Sequence, residues 1–293
     1  MAVNLNDFFF AYEHLAHTVA INGLLALSLW CVFAMGQLSL GQAGFMAIGA
    51  YSGALLSLYW QLPFVVTLVL SSLLGGLVAA AVGALVRRLA GVYLAITTIA
   101  LSEILRIILV NSSWSGGGTG LSNIPRETTL AQLYLVLAVV LFGLIMVAKT
   151  RIGRAMEAMR LDETAAAAMG IATDRMKLGG MVASGLLAGL AGGLSSHANS
   201  FISPQDFGFE TAVAILSFVL LGGVQNPVGG VIGAVILTLL PEVLRSIPEI
   251  RLIINGLVIV LVVIFMPAGI LARIPYLRLK RFRLRPQGGG NHD

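Results

Sequence analysis

The feature that most constrains this chain is a series of apolar runs of about 20 residues. Such a run crosses a bilayer as a helix, because a helix satisfies its own backbone hydrogen bonds where lipid offers none. The apolar stretch at 209–244 is interrupted by Gln225-Asn226-Pro227 and is interpreted as two short helices. The other predicted spans cover residues 15–35, 39–60, 62–86, 91–110, 130–148, 178–198 and 251–272. The sequence therefore predicts an all-α, polytopic membrane bundle of about nine transmembrane helices, within a range of roughly eight to ten.

Composition supports lipid as the main solvent. Of the 293 residues, 58% are apolar and 11% are charged, against roughly 45–50% and 25% in soluble domains. One cysteine, Cys31, allows neither an intrachain disulfide nor a cysteine metal site. The net charge of +5 resides in short clusters between apolar runs, which fits membrane topology better than nucleic-acid binding.

The basic residues predict the orientation of the chain. Three clusters hold 14 of the 18, at 87–88, 149–177 and 273–285, and all three fall on one side if the chain crosses as predicted. The positive-inside rule makes that side cytoplasmic, with the N-terminus outside and the C-terminus inside. We expect a transmembrane domain at 1–272 with a cytoplasmic loop at 149–177. A basic cytoplasmic tail follows at 273–293, and its Gly-rich end is expected to be disordered.

Polar residues and glycines meet just after the first predicted span. Gln37, Ser39 and Gln42 lie among four glycines in residues 36–49. One interpretation is a helix broken or begun at membrane depth, where exposed backbone must line protein or water. The other is a tight cytoplasmic turn followed by close helix packing through small residues. The residues alone do not separate the two.

Two charged residues lie within the predicted span at 91–110. Glu103 and Arg106 are three residues apart, so they share a helix face and can pair. We interpret them as a structural ion pair near the outer boundary; the alternative is that one of them faces a translocation path. The glycine-rich run at 115–121 lacks the Lys and Ser/Thr of a phosphate loop and is interpreted as an external turn.

The loop at 149–177 is rich in strong helix formers. Its Ala, Met, Glu and Arg residues predict a short charged helix and then an alanine-rich one that stops near Gly170. Met156, Met159 and Met169 offer adaptable apolar surface beside the charges, as a docking helix would. The alternative is a solvated connecting loop.

The span at 178–198 is rich in small residues and ends in polar ones. Glycines recur every four residues from Gly185 to Gly193, so a neighbouring backbone can approach one face closely. Ser196, His197 and Asn199 follow. Because no Cys or second His lies at ligand spacing, we interpret His197 as a packing or gate-lining residue and predict no metal site.

Known catalytic patterns do not occur in the sequence. It contains no Gly-x-Ser-x-Gly elbow, no His-Glu-x-x-His and no Walker motif, so an enzyme is the least favoured class. Any energy source that the protein uses is therefore expected to be an ion gradient or a separate chain.

Four motifs together resemble a known family. They occur in this order: GQLSLGQAGFMAIGAY at 36–51, GVYLAITTIALSEILR with SGGGTGL at 91–121, GRAMEAMRLDETAAAAMGI at 153–171 and SFVLLGGVQNPVGGVIGA at 217–234. This pattern resembles the membrane subunits of branched-chain amino acid ABC importers, of the LivM type. The resemblance covers about residues 20–272.

The resemblance implies a permease of the bacterial inner membrane without an ATPase of its own. The chain would lie in the lipid bilayer and assemble with four partner chains. These are a second, homologous permease, two cytoplasmic ATP-binding subunits and an extracytoplasmic substrate-binding protein. ATP is then bound by the partners, and no cofactor is expected on this chain. The implied ATPase-docking residues lie in the EAA-like segment of the loop, at Gly153, Arg154, Glu157, Arg160, Asp162, Glu163 and Gly170.

The sequence leaves the substrate and the path open. We predict that Gln37, Ser39, Gln42, Ser196, His197 and Asn199 line the path. Branched-chain amino acids are the favoured substrates, and permeases for urea, short amides or other amino acids share the pattern. A self-contained channel or an ion-coupled transporter is the less favoured alternative.

Overall fold

The computed structural model describes the backbone of residues 5–243 and the side chains of residues 12–242. The predicted span at 251–272 and the basic tail at 273–293 lie outside the described residues. The ten helices of the described part are α1 (Leu5–Phe33), α2 (Gln42–Trp60), α3 (Phe64–Val86), α4 (Gly91–Asn111), α5 (Leu130–Lys149), α6 (Arg151–Leu161), α7 (Glu163–Ala168), α8 (Thr173–Asn199), α9 (Phe209–Gly222) and α10 (Pro227–Val243). Two short strands, β1 (Leu121–Ser122) and β2 (Phe201–Ile202), pair antiparallel. Short 3-10 turns cover Ser113–Ser115, Gly117–Thr119 and Pro204–Phe207.

Five helices in the described part are long and apolar enough to cross a membrane. They are residues 12–33 of α1 together with α3, α4, α5 and α8, and the pair α9 and α10 raises the number to six if it counts as one span. The protein is thus a mostly helical, multi-pass membrane protein. The count of nine and the orientation of the termini stay predictions.

Helix α2 was predicted as a span but is not among these five. Its sequence carries Gln42, Ser52 and Ser57, which make it less apolar than its neighbours. More than half of its residues are buried within the protein. A helix shielded by other helices needs less apolar surface than one that faces lipid.

Helix α8 is the centre of the bundle, because its small residues let α2 and α3 approach it closely. A Cβ added to Gly189 would lie 2.6 Å from the carbonyl oxygen of Ser71 in α3. A Cβ added to Gly192 would lie 2.1 Å from the carbonyl oxygen of Met46 in α2. These backbones touch without intervening side chains, which confirms the glycine face predicted for this helix.

The bundle has two distinct ends. Gly83, near the end of α3, faces Leu178 and Met181, near the start of α8. This contact brings the basic residues that follow α3 to the same end as the α6–α7 segment, and we call it the basic end. The opposite end carries the β1–β2 pair and the turn at Pro204–Phe207.

Helices α9 and α10 form the predicted pair of short helices, and the chain turns by 118° between them. Gly223 has φ of +102°, a left-handed conformation that ends α9 without the strain a side chain would cause. Pro227 begins α10, where its missing N–H costs nothing. The interruption at 225–227 was therefore interpreted correctly.

Candidate functional site

The α6–α7 segment forms an amphipathic unit at the basic end. Met156 and Met159 are 9% and 3% exposed, and they belong to one buried cluster with Trp30, Cys31 and Ala34 of α1 and its end. The sequence predicted these methionines as docking surface, but the structure uses them to fix α6 to α1. Met169 does remain outward, at 81% exposure.

The outer face of α6 is charged. Arg154 and Glu157 are exposed, whereas Arg160 and Gly153 are half-buried. A Cβ added to Gly153 would lie 2.1 Å from the carbonyl oxygen of Ala148, so this glycine allows the tight bend between α5 and α6. Among the predicted docking residues of α6, Arg154 and Glu157 are thus the two best placed to meet another protein.

Asp162 divides α6 from α7 and caps the second helix. Its Oδ1 accepts hydrogen bonds from the N–H groups of Thr164 and Ala165, at 2.9 and 3.0 Å, and from the Thr164 hydroxyl at 2.6 Å. The hydroxyl bond first, and then the N–H bonds, hold the pKa of Asp162 below its ordinary value. The carboxylate satisfies N–H groups that the first turn of a helix leaves free.

The α7 helix is also fixed at its other predicted docking residues. The Glu163 carboxylate pairs with the Lys177 ammonium in the first turns of α8. Gly170 follows the end of α7 with φ of +85°. The capping carboxylate and the ion pair to α8 thus both hold the start of the short helix.

The polar segment after α1 contacts α6 on one side and α4 of the bundle on the other. Gly36 has φ of +75°, and a Cβ there would lie 3.3 Å from the Arg160 Cα. The Leu40 N–H donates to the Thr98 hydroxyl of α4 at 2.9 Å. The segment thus lies between α6 and the bundle, as a turn at the basic end, and α2 begins at Gln42.

Gln42 belongs to a buried polar cluster between three helices. The Gln42 amide donates to the Ser184 hydroxyl of α8 at 3.1 Å. The Ser28 hydroxyl of α1 donates to the Ser184 carbonyl oxygen at 2.8 Å. All three residues are at most 1% exposed, so the cluster ties α1, α2 and α8 together in the protein interior.

His197 belongs to a second buried cluster, near the opposite end. Its Nδ1 lies 2.8 Å from the Gly193 carbonyl oxygen, and because a carbonyl only accepts, Nδ1 is the donor. Its Nε2 lies 2.6 Å from the Ser57 hydroxyl of α2, and Phe64 meets the ring edge to face. The neighbouring Ser196 hydroxyl donates to the Gly193 carbonyl oxygen.

The six predicted path residues therefore do not meet at one opening. Five are buried among helices, and Asn199 is exposed. Ser184 and His197, which mark the two clusters, are separated by roughly 20 Å along α8. In this conformation the clusters hold helices together. Gln37 differs from the others, since its Oε1 is one of four buried polar side-chain atoms in the described residues that have no hydrogen-bond partner.

Glu103 and Arg106 form the pair that their spacing predicted. The Arg106 Nε donates to the Glu103 Oε1 at 2.7 Å, and the Arg106 Nη1 donates to the Gln205 Oε1 at 2.9 Å. The pair thus also ties α4 to the turn at Pro204–Phe207. Gln205 carried no signal in the sequence, since only the fold brings it to α4.

Sequence reasoning also missed the partners of the polar clusters. Ser28, Ser57 and Ser184 lie in three different apolar helices, and nothing in the sequence pairs residues so far apart. Nor did it single out Trp30, whose indole N–H donates to the Val224 carbonyl oxygen at 2.9 Å. Within residues 5–243, no group of three or more His, Cys, Asp or Glu side chains is placed to hold a metal ion.

Comparisons with known proteins agree with the resemblance in the motifs. Residues 11–266 match the family described as branched-chain amino acid transport system, permease component. The chain is 35% identical over 285 residues to the high-affinity branched-chain amino acid transport system permease protein LivM of Salmonella typhimurium, covering 84% of this chain and 66% of that protein. LivM of Escherichia coli is 34% identical over 281 residues with the same coverage.

Permease proteins named LivH are also similar to this chain, over a shorter stretch. LivH of Salmonella typhimurium is 30% identical over 169 residues, which cover 56% of this chain and 54% of that protein. The chain spans just under two thirds of the length of the LivM proteins it matches. No solved structure matches the chain.

Proposed function

Because the chain belongs to the family of branched-chain amino acid transport system permease components, we propose that it is the membrane-spanning subunit of an ATP-binding cassette importer for branched-chain amino acids. It forms part of the translocation path and binds no ATP itself. Its similarity to both LivM and LivH supports a second, homologous permease as its partner. Two ATP-binding subunits and an extracytoplasmic substrate-binding protein complete the proposed assembly, in a bacterial inner membrane.

The observation that carries this proposal is the construction of the α6–α7 segment. Its apolar face is fixed to α1 through Met156 and Met159, and its outer face presents Arg154 and Glu157. A helix held at the bundle end with charges outward suits docking to a soluble protein. A solvated connecting loop has no need of a buried face.

The proposed topology follows from the charges at the basic end. Arg87 and Arg88 are exposed there, beside the start of α8 and the α6–α7 segment. The positive-inside rule makes this end cytoplasmic, which is also where an ATP-binding subunit would dock. The N-terminus is then outside, the C-terminus is cytoplasmic, and the number of crossings, proposed as nine, is odd.

The proposed mechanism is alternating access. Closure of the two ATP-binding subunits moves the α6–α7 segments and tilts the helices that line a path between the two permeases. The loaded binding protein docks at the opposite end, over residues 111–130 and 200–206. Substrate selection is assigned mainly to that binding protein, because tight binding along the path would slow release.

The path residues are proposed to be exposed by helix movement. Gln42 with Ser184, and His197 with Ser57, hold their helices together in the present conformation. Separation of α2 from α8 would open both clusters to a polar substrate. The unpaired Gln37 Oε1 already offers an acceptor near the basic end.

Reconstitution tests the proposal. The chain is placed in liposomes with its second permease, the two ATP-binding subunits and the binding protein, and uptake of radiolabelled leucine, isoleucine, valine and urea is measured with and without ATP. We expect uptake of branched-chain amino acids only from the complete set with ATP. Uptake by the chain alone would instead identify a self-contained channel or ion-coupled transporter, and urea uptake would reassign the substrate.

A further inference from the structure

Trp30 is buried near the end of α1, at a point where three parts of the chain meet. It is 3% exposed, and its cluster contains the α6 residues Met156 and Met159. Its indole N–H donates to the Val224 carbonyl oxygen, in the break between α9 and α10, at 2.9 Å. The Trp30 side chain therefore lies in the buried cluster that includes α6 residues and also bonds to the break between α9 and α10.

Two contacts connect the end of α1 to α6: the buried cluster that Trp30 shares with Met156 and Met159, and the turn after α1. Below Trp30, the turn after α1 brings Gly36 against the main chain of α6 at Arg160, with a Cβ position 3.3 Å from the Arg160 Cα. Closely packed groups move together, since protein interiors contain few voids that would absorb a shift. A displacement of α6 is thus passed to the end of α1.

The break between α9 and α10 depends on this side chain for a hydrogen bond. The break leaves the Val224 carbonyl oxygen outside regular helix pairing, and Val224 is half-buried, so a carbonyl without a donor is costly there. The Trp30 N–H supplies that donor. On the other side, the Asn226 side chain accepts from the Val228 N–H and begins α10. The conformation of the break is thus set in part by the position of the indole.

The α9–α10 pair has little freedom to move except at this break. A Cβ added to Gly233 would lie 1.9 Å from the Phe218 carbonyl oxygen, so the two helices are in backbone contact. Their relative angle is therefore adjusted at residues 223–226, where the Gly223 N–H makes the last helical hydrogen bond of α9 and the chain turns by 118°. A displacement of the Trp30 indole would therefore change the angle between α9 and α10 at these four residues.

We propose that Trp30 is a positioning residue that couples the docking helix α6 to the α9–α10 break through its hydrogen bond to Val224. Movement of α6 shifts the end of α1, the indole moves with it, and the break changes its angle. The inference rests on the proposed function, because it assumes that a partner ATPase moves α6. It adds the route by which a movement of α6 reaches α9 and α10, which do not form part of the docking surface on α6.

The test compares two tryptophan variants in the complete reconstituted importer. Trp30→Phe keeps an aromatic ring in the cluster but removes the N–H donor. Trp60→Phe is the matched control, because Trp60 is exposed at the end of α2 and outside the cluster. Leucine uptake, ATP hydrolysis stimulated by the binding protein and the recovery of ATP-binding subunits with the permease are measured for each.

We expect Trp30→Phe to retain its subunits and its ATP hydrolysis but to transport roughly fivefold less leucine per ATP, the effect of one lost hydrogen bond on an equilibrium. Trp60→Phe should behave as the native protein. A native ratio in Trp30→Phe would overturn the inference. If the native complex itself takes up no branched-chain amino acid, the proposed function fails, and the inference fails with it.

A second measurement leaves Trp30 in place, in case the variant does not assemble. The three tryptophans are replaced by 5-fluorotryptophan, and the fluorine resonance of Trp30 is followed in the complex with and without a non-hydrolysable ATP analogue. A nucleotide-dependent shift of the Trp30 resonance, with the Trp60 resonance constant, supports the coupling. An unchanged Trp30 resonance overturns it.

Discussion

Gly49 of α2 and Gly189 of α8 are in backbone contact, and a Cβ added to Gly49 would lie 2.1 Å from the Gly189 carbonyl oxygen. No side chain fits between two helices at this distance. Membrane helices associate through close packing, because lipid provides no hydrophobic drive between them. The contact therefore determines how near α2 lies to the centre of the bundle.

Gly49→Ala should separate α2 from α8 and lower the free energy of unfolding by about 3 kcal/mol, as overpacking of a tight interior does. Thermal unfolding of the purified chain in detergent measures the effect. Gly143→Ala in α5 is the control, since nothing lies within 4 Å of a Cβ at that position. Equal unfolding temperatures for the two variants would mean that the α2–α8 contact is not tight.

Ser184→Ala should weaken the hydrogen bonding among α1, α2 and α8 and so lower the free energy of unfolding. The substitution leaves the Gln42 amide and the Ser28 hydroxyl without the Ser184 hydroxyl, at a cost of about 2 kcal/mol. Thermal unfolding in detergent is again the measurement. Ser217→Ala is the control, because the Ser217 hydroxyl donates within its own helix to Val213. If Ser184→Ala lost no more stability than this control, the cluster would not hold the helices.

Replacing Arg154 and Glu157 together with Ala should weaken binding of the ATP-binding subunit about tenfold, the loss typical of central interface residues. Both residues are exposed on the outer face of α6, so the fold of the chain should persist. Co-purification of the ATP-binding subunit with the permease gives the affinity. Arg88→Ala removes a charge from the same end and should bind as the native protein. Undiminished binding by the double variant would place the docking surface elsewhere.

Co-purification of the ATP-binding subunit is also measured for the double variant Glu157→Ala, Arg160→Ala. It separates the contribution of the exposed charge of Glu157 from that of the half-buried Arg160. Arg160 is half-buried, and its main chain lies against Gly36. We expect this second pair to weaken binding mainly through Glu157. A single Arg160→Ala variant that lost as much affinity as the pair would contradict this division of roles.

Asp162 makes the start of α7 sensitive to acid. Its pKa is lowered in the folded chain by the Thr164 hydroxyl and the Ala165 N–H. The stabilisation is therefore complete above the ordinary pKa of an aspartate, and it is lost as the pH falls through the lowered value. The protection factors of the amides of residues 163–168, which are corrected for the intrinsic slowing of exchange in acid, should fall as the pH falls through the lowered value and, at neutral pH, in Asp162→Ala.

Asp174→Asn serves as the control for this measurement, because Asp174 is exposed at the start of α8 and does not cap α7. Its exchange rates at residues 163–168 should match those of the native chain at every pH. Exchange in Asp162→Ala as slow as in Asp174→Asn would show that the cap is not needed for α7.

Local signals in the sequence identified most helices and one ion pair. The break at 225–227 follows from the presence of Pro227 and a polar pair inside an apolar run. The spacing of Glu103 and Arg106 predicted their pairing, because residues three apart share a helix face. The glycines from Gly185 to Gly193 predicted close approach of a neighbour for the same reason, that helical geometry converts sequence spacing into a face.

Contacts between distant residues were decided only by the tertiary structure. Met156 has the same chemistry whether it faces a partner or α1, and only the packing of α6 on the bundle shows that it is buried. Gln42 and His197 looked alike as polar residues in apolar helices, yet each is satisfied by a serine more than a hundred residues away. The sequence by itself determined the membrane as solvent, most of the helices and the family, because hydropathy and motifs are local. Which side chains meet depends on how the helices pack against one another.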